Sequence, residues 1–408
     1  MTQNKSLSRR WLILAVGVLT MLFAGILYAW SILKVPFAAS LGYAPDALAL
    51  NFSLTMSFFC IGGLISNPLV KKIGVKTAII LSGITAGCGF ALSSLLQSEN
   101  SWLLFVTYAF LGGLGIGMAY IIIISSVNAW FPDRRGLSSG ALMMGFGASS
   151  LILGKLADAL FVSSVGWRGT YVIIGAAIAV VIVGSSFIIK RPDASVILPA
   201  PKKKANAPAP VQTREYTPRE MLKSSTFWRI FIAFTCITAV GSSVISFARD
   251  LALSVGATAA FATSLVGVLA ICNGLGRIIT GAVFDAMGRR FTIIAANILA
   301  ITAAAITLTA TMLGSLPVCI IGLCLVGMSY GTVPTNASAF ASAFYGFKHF
   351  GSNLSLLNFN LMLASYMATI SAKIQASTGG YTIPFIILLS MASVALVLNL
   401  SIKDPKAE

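Results

Sequence analysis

A chain of 408 residues that is 57% hydrophobic and only 10% charged cannot cover a water-facing surface, because a soluble domain is about a quarter charged. Its mean hydropathy of +0.91 equally excludes disorder, which needs low hydrophobicity. The apolar runs are about 20 residues long, not alternating segments of about ten, so helices cross the bilayer and a β-barrel does not.

Twelve spans are predicted, numbered first to twelfth: 11–37, 47–70, 77–96, 102–130, 136–160, 168–189, 227–249, 257–284, 290–313, 315–343, 351–373 and 382–402. Residues 1–10 are polar and carry Lys5, Arg9 and Arg10. The first apolar run is too long for a signal-peptide core and has no small-residue cleavage site after it, so it reads as a membrane helix.

The cations give the orientation. With the amino terminus inside, the inner side receives Lys5, Arg9 and Arg10, the Lys71–Lys72–Lys76 group, Arg134 and Arg135, the basic stretch from Lys190 to Arg229, Arg289, Arg290, Lys348, Lys403 and Lys406. The outer side receives Lys34, Lys155, Arg168, Arg249 and Lys373. The positive-inside rule then puts both termini in the cytoplasm. The expected location is the plasma (inner) membrane, with lipid around the helices. This asymmetry accounts for the net charge of +17 without a nucleic-acid partner.

Residues 190–226 break the apolar pattern with six prolines and a basic cluster. They read as a cytoplasmic linker between an N-terminal six-helix half, 1–189, and a C-terminal one, 227–408. Thr217-Pro218-Arg219-Glu220 near its end has the form of a capping box with proline at the first helical position.

The halves repeat. Adding 214 carries Gly62, Gly74 and Lys76 onto Gly276, Gly288 and Arg290. It also carries Ala129-Trp130-Phe131 onto Ala343-Phe344-Tyr345, and Arg134 onto Lys348. The expected fold is therefore an all-α membrane protein of twelve transmembrane helices in two six-helix halves. Parallel six-helix repeats joined by a cytoplasmic linker are an alternating-access layout with a central site between the halves.

The loop after the eighth span reads Gly281-Ala-Val-Phe-Asp285-Ala-Met-Gly288-Arg289-Arg290. It resembles the Gly-x-x-x-Asp-x-x-Gly-Arg-Arg signature of the major facilitator superfamily. The first-half copy departs from it, with Asn67 and Lys71 where the glycine and aspartate would stand. Trp130-Phe131-Pro132-Asp133-Arg134-Arg135-Gly136 and Tyr28-Ala29-Trp30-Ser31 resemble the oxalate/formate-antiporter-like branch, which is related to monocarboxylate transporters. The resemblance implies a carrier of small organic anions. Asp285, Arg289 and Arg290, with Asp133 and Arg134 in the first half, are expected to gate its conformational change.

Arg277 is the one ionised group deep in the bilayer. It lies eight residues before Asp285, about 12 Å above the inner boundary at ~1.5 Å per residue. An arginine there costs at least ~2.5–3.5 kcal/mol, so it should face a wet cavity or an anionic partner. Asn273 stands one turn away on the same face. The acids all lie in loops or near helix ends, so none is available at mid-depth. Guanidinium matches a carboxylate with a planar fork, which makes Arg277 the expected substrate anchor.

The resemblance adds further expected contacts. Tyr120 matches a substrate-contacting tyrosine of oxalate carriers, and Tyr330 matches the branch pattern. Leu27, beside Tyr28, replaces a polar residue and implies a more apolar pocket. Where monocarboxylate transporters commonly carry an aspartate, this chain has Asn273. Oxalate carriers place a lysine in the eleventh span, where this chain has about Leu357. Asn358 and Asn360 are close by but ~200° apart on a helix, so at most one should face a cavity.

Other chemistry is thin. The six cysteines lie in apolar runs with no Cys-x-x-Cys pair, and His349 is the single histidine, so no metal site is expected. The Gly112–Gly117 run sits inside a membrane span and reads as packing, not a nucleotide loop. No cofactor and no catalytic constellation is expected. The reading is a secondary carrier of a small monocarboxylate, acting as a monomer, with proton coupling and anion exchange both open. An oxalate-type dicarboxylate exchanger and an amphiphile exporter are the alternatives.

Overall fold

The computed structural model describes residues 2–133, 135–192, 198, 215–346 and 349–402, and among these the regular structure is helical, with no strand. The chain divides into two compact units, Met1–Lys202 and Lys203–Glu408. Most of the expected linker falls outside the described residues. Its end forms the short helix Pro218–Lys223, where the Thr217 hydroxyl accepts from the Glu220 amide and the Glu220 carboxylate accepts from the Thr217 amide. That is the capping box read from the sequence.

Eleven helices among the described residues are long and apolar enough to cross a bilayer. They hold the twelve expected spans because the second and third run on as Pro45–Leu95, 51 residues. At ~1.5 Å per residue this greatly exceeds one crossing of a ~30 Å hydrocarbon core. The helix breaks at Gly74, with φ 81° and ψ 164°. The eighth and ninth spans run on in the same way through Ala259–Leu313, broken at Gly288 with φ 78° and ψ 175°. Both turns need a positive φ that glycine alone tolerates cheaply, and they are 214 residues apart.

The same offset recurs in the packing. In the first unit a Cβ at Gly113 would lie 2.6 Å from the Thr55 carbonyl oxygen, one at Gly117 would collide with that of Phe59, and one at Gly62 with that of Leu114. In the second unit the collisions are Gly327 with Leu269, Gly331 with Asn273, and Gly276 with Met328. Every member of the second set is 214 residues beyond its counterpart. Missing side chains thus let the second span lie against the fourth, and the eighth against the tenth, backbone to backbone.

Irregular turns mark several spans. Gly25–Ala29 is a 3₁₀ turn between the helices Thr2–Ala24 and Trp30–Leu33. The fourth span opens with π-helical Phe105–Gly113. The eleventh is divided into Phe350–Asn358 and Asn360–Thr378. Such departures from α geometry often accompany function.

Candidate substrate site

In the second unit, Arg277 stands on the eighth span and is half-buried, while Asn273 is buried one turn before it. The Arg277 Nε donates to Asn273 Oδ1 at 3.4 Å. Two features of the tenth span hold this turn in place. Gly331 lies against the Asn273 carbonyl, and the Thr335 hydroxyl donates to the Arg277 carbonyl at 3.3 Å. Tyr330 is buried and its ring fills the space left by Gly241 on the seventh span. The structure therefore brings Asn273, Arg277 and the 330–335 segment together, with a guanidinium as the charged group of the Ala259–Phe284 helix.

The two asparagines of the eleventh span differ. Asn360 accepts from the Thr238 hydroxyl at 2.8 Å and donates to the Leu357 carbonyl at 2.6 Å, so its amide ties the eleventh span to the seventh. Asn358, on the other side of the break at Phe359, is half-buried.

In the first unit, Leu27 and Tyr28 lie within the 3₁₀ turn and are buried. Tyr28 packs edge-on to Phe146 with centroids 5.0 Å apart. Tyr120 packs on Phe59 at 5.0 Å and on Phe146 at 5.3 Å, and its hydroxyl lies 3.3 Å from the Met143 sulfur. Two expected contacts, Tyr28 and Tyr120, thus join one group whose centre, Phe146, sequence reasoning missed along with Phe59 and Met143. A signal was present: the 214 offset carries Phe59 onto Asn273, Gly63 onto Arg277 and Phe146 onto Asn360. Aromatic rings in one unit occupy the places of amides in the other.

The residues expected to gate lie at span ends. Asp133 forms an ion pair with Arg10 at 2.8 Å, both side chains about nine-tenths buried. The Arg10 guanidinium also lies over Phe131, 5.0 Å from its centroid, and the Trp130 indole donates to the Lys190 carbonyl at 2.6 Å. Sequence reasoning missed Arg10 as the partner. A double-mutant cycle on Arg10→Ala and Asp133→Ala is expected to return a coupling of about 1–3 kcal/mol in thermal unfolding, and additive losses would refute the pairing. Arg289 lies over the Phe344 ring at 4.2 Å, and Arg290 is exposed. Asp285 is in a helix but its side chain, like Arg134, lies outside the described residues.

The family model of the Major Facilitator Superfamily matches residues 11–369. The chain is 26% identical over 353 residues to the oxalate:formate antiporter of Oxalobacter formigenes, covering 84% of this chain and 81% of that one. It is 26% identical over 302 residues to the transporter YhjX of Escherichia coli K12, covering 74% and 72%. A shorter match, 31% over 117 residues, joins it to human monocarboxylate transporter 1, covering 29% of this chain and 23% of that one. Among solved structures, the D-xylose–proton symporter has a TM-score of 0.71 at 14% identity, covering 97% of this chain and 98% of that one. That likeness is one of fold.

Proposed function

The chain belongs to the Major Facilitator Superfamily, an integral membrane transporter family and not an enzyme family, and on that premise we propose that it carries a small monocarboxylate of the lactate, pyruvate or formate kind. The observation that carries this reading is Arg277, a guanidinium on a membrane helix whose Nε donates to Asn273 one turn away. A substrate carboxylate matches the planar guanidinium fork and accepts two parallel N–H bonds from it. One such cation suits one carboxylate. The names of two relatives, an oxalate:formate antiporter and a monocarboxylate transporter, support an organic anion.

In this proposal Asn273, Tyr120, Tyr330, Leu27, Tyr28 and Asn358 are further contacts. Asp133, Arg134, Asp285, Arg289 and Arg290 gate alternating access by the halves 1–189 and 227–408, with 190–226 a cytoplasmic linker. Both termini lie in the cytoplasm of the plasma (inner) membrane, and the carrier works as a monomer.

The second reading, an oxalate-type exchanger, is favoured by the 353-residue likeness to the antiporter. Against it, residues 351–373 hold no Lys or Arg before Lys373. Desolvating a second carboxylate without a partner costs several kcal/mol, so in proteoliposomes lactate or pyruvate should outcompete oxalate about a hundredfold or more. Oxalate as the tightest competitor would reverse the two readings.

Coupling follows from the same acids. None lies in the middle of a span, so a proton travels on the acid substrate or the carrier exchanges anions. Asp158, near the outer end of the fifth span, is the nearest alternative. Gradient-driven accumulation, or counterflow against internal substrate, is expected to survive Asp158→Asn. Loss of accumulation alone in that variant would place the proton on the protein.

A further inference from the structure

Cys272 and Cys324 stand on different membrane helices, the eighth and tenth, where those helices touch. A Cβ at Gly327 would lie 2.9 Å from that of Cys272, and Cys324 is one turn before Gly327 on the same face. The two side chains are close enough to interact directly. The first unit gives independent support for this placement. Subtracting 214 carries Cys272 onto Phe58 and Cys324 onto Phe110, whose rings meet edge to face with centroids 5.0 Å apart. The position is a side-chain contact in both units, filled by rings in one and by sulfurs in the other.

Three properties make the pair a site. The backbone contacts at Gly276, Gly327 and Gly331 fix the two helices against each other, so the thiols stay opposed. Both cysteines are free and half-exposed. The neighbouring positions on the same helix faces, Leu275, Ile279 and Ile321, are 39%, 45% and 54% exposed, an apolar surface suited to lipid. An apolar reagent dissolved in the bilayer can reach the pair.

We infer that Cys272 and Cys324 form a two-thiol binding site for trivalent arsenicals. Soft sulfur ligands select soft acceptors, and two thiols fixed side by side chelate where one alone binds loosely. With an aryl arsenoxide the step balances without redox. Each thiol passes its proton to the arsenic-bound oxygen, two As–S bonds replace the As–O bonding, and one water leaves. No thiolate has to persist in the bilayer, because the protons leave with the oxygen.

The test uses phenylarsine oxide on the purified full chain, read by intact mass. The wild type should retain one adduct per chain in excess mercaptoethanol and lose it to dimercaptopropanol. After cleavage within the ninth span's flanking loops, the adduct should hold the eighth- and tenth-span fragments together. Cys272→Ser and Cys324→Ser should each abolish the mercaptoethanol-resistant adduct. A chain in which Cys60, Cys88, Cys236 and Cys319 are all alanine should keep it, which tests the site even where a serine variant does not fold. A resistant adduct in either serine variant, its loss in the four-alanine chain, or only labile adducts on the wild type would overturn the inference.

Discussion

Arg277→Ala is expected to abolish binding and uptake of whichever carboxylate the wild type accepts best. A charge-assisted hydrogen bond contributes about 1.5–3 kcal/mol, so losing a bidentate pair lowers affinity about a hundredfold or more. Arg277→Lys separates charge from geometry. Lysine keeps the positive charge as a compact point but loses the planar fork and the Nε that reaches Asn273. It should retain weak binding and transport poorly. The measurement is equilibrium binding and proteoliposome uptake at matched reconstitution, with a single monodisperse elution peak as evidence of folding. Uptake like the wild type by the alanine variant would remove the anchor from the mechanism. Asn273→Ala should cost less, since the amide orients the guanidinium and carries no charge.

The fold was legible because a bilayer forces its own signature on the chain. Each crossing needs about 20 apolar residues, and the cations between crossings report their side. Arg277 was legible for the complementary reason: a charge among apolar residues is costly enough to stand out. What remained hidden was made of ordinary residues. Phe59, Phe146 and Met143 are unremarkable in an apolar span, and only contact with Tyr120 and Tyr28 gives them meaning. The partner of Asp133 was hidden by distance, since Arg10 is 123 residues away and had been read as a topology signal. Asn358 and Asn360 looked alike in sequence. The break at Phe359 and the Thr238 hydroxyl, both tertiary features, separate their environments. The cysteines were legible as free thiols, but the proximity of two of them belongs to the packing of two helices.

Gly331→Leu is expected to cost the second half its packing. The eighth and tenth spans meet backbone to backbone there, so a new side chain finds the Asn273 carbonyl in its place and no flexible side-chain end that can yield. Overpacking of a close-packed interior costs about 1–3 kcal/mol and occasionally more, and two helix backbones are its least compliant target. The turn that must move carries Arg277, so binding should fail together with stability. The first half repeats the geometry, with Gly117 against the Phe59 carbonyl, and Gly117→Leu should lower the thermal unfolding midpoint by a similar amount. Gly281→Ala is the control: that glycine lies in the same helix as Arg277, yet a Cβ there has nothing within 4 Å. It should unfold at the wild-type temperature or slightly above, because alanine favours a helix by about 1 kcal/mol over glycine. If Gly331→Leu and Gly117→Leu unfolded like the control, the glycines would not be what brings these helices together, and the 214-residue correspondence in the packing would lose its energetic meaning.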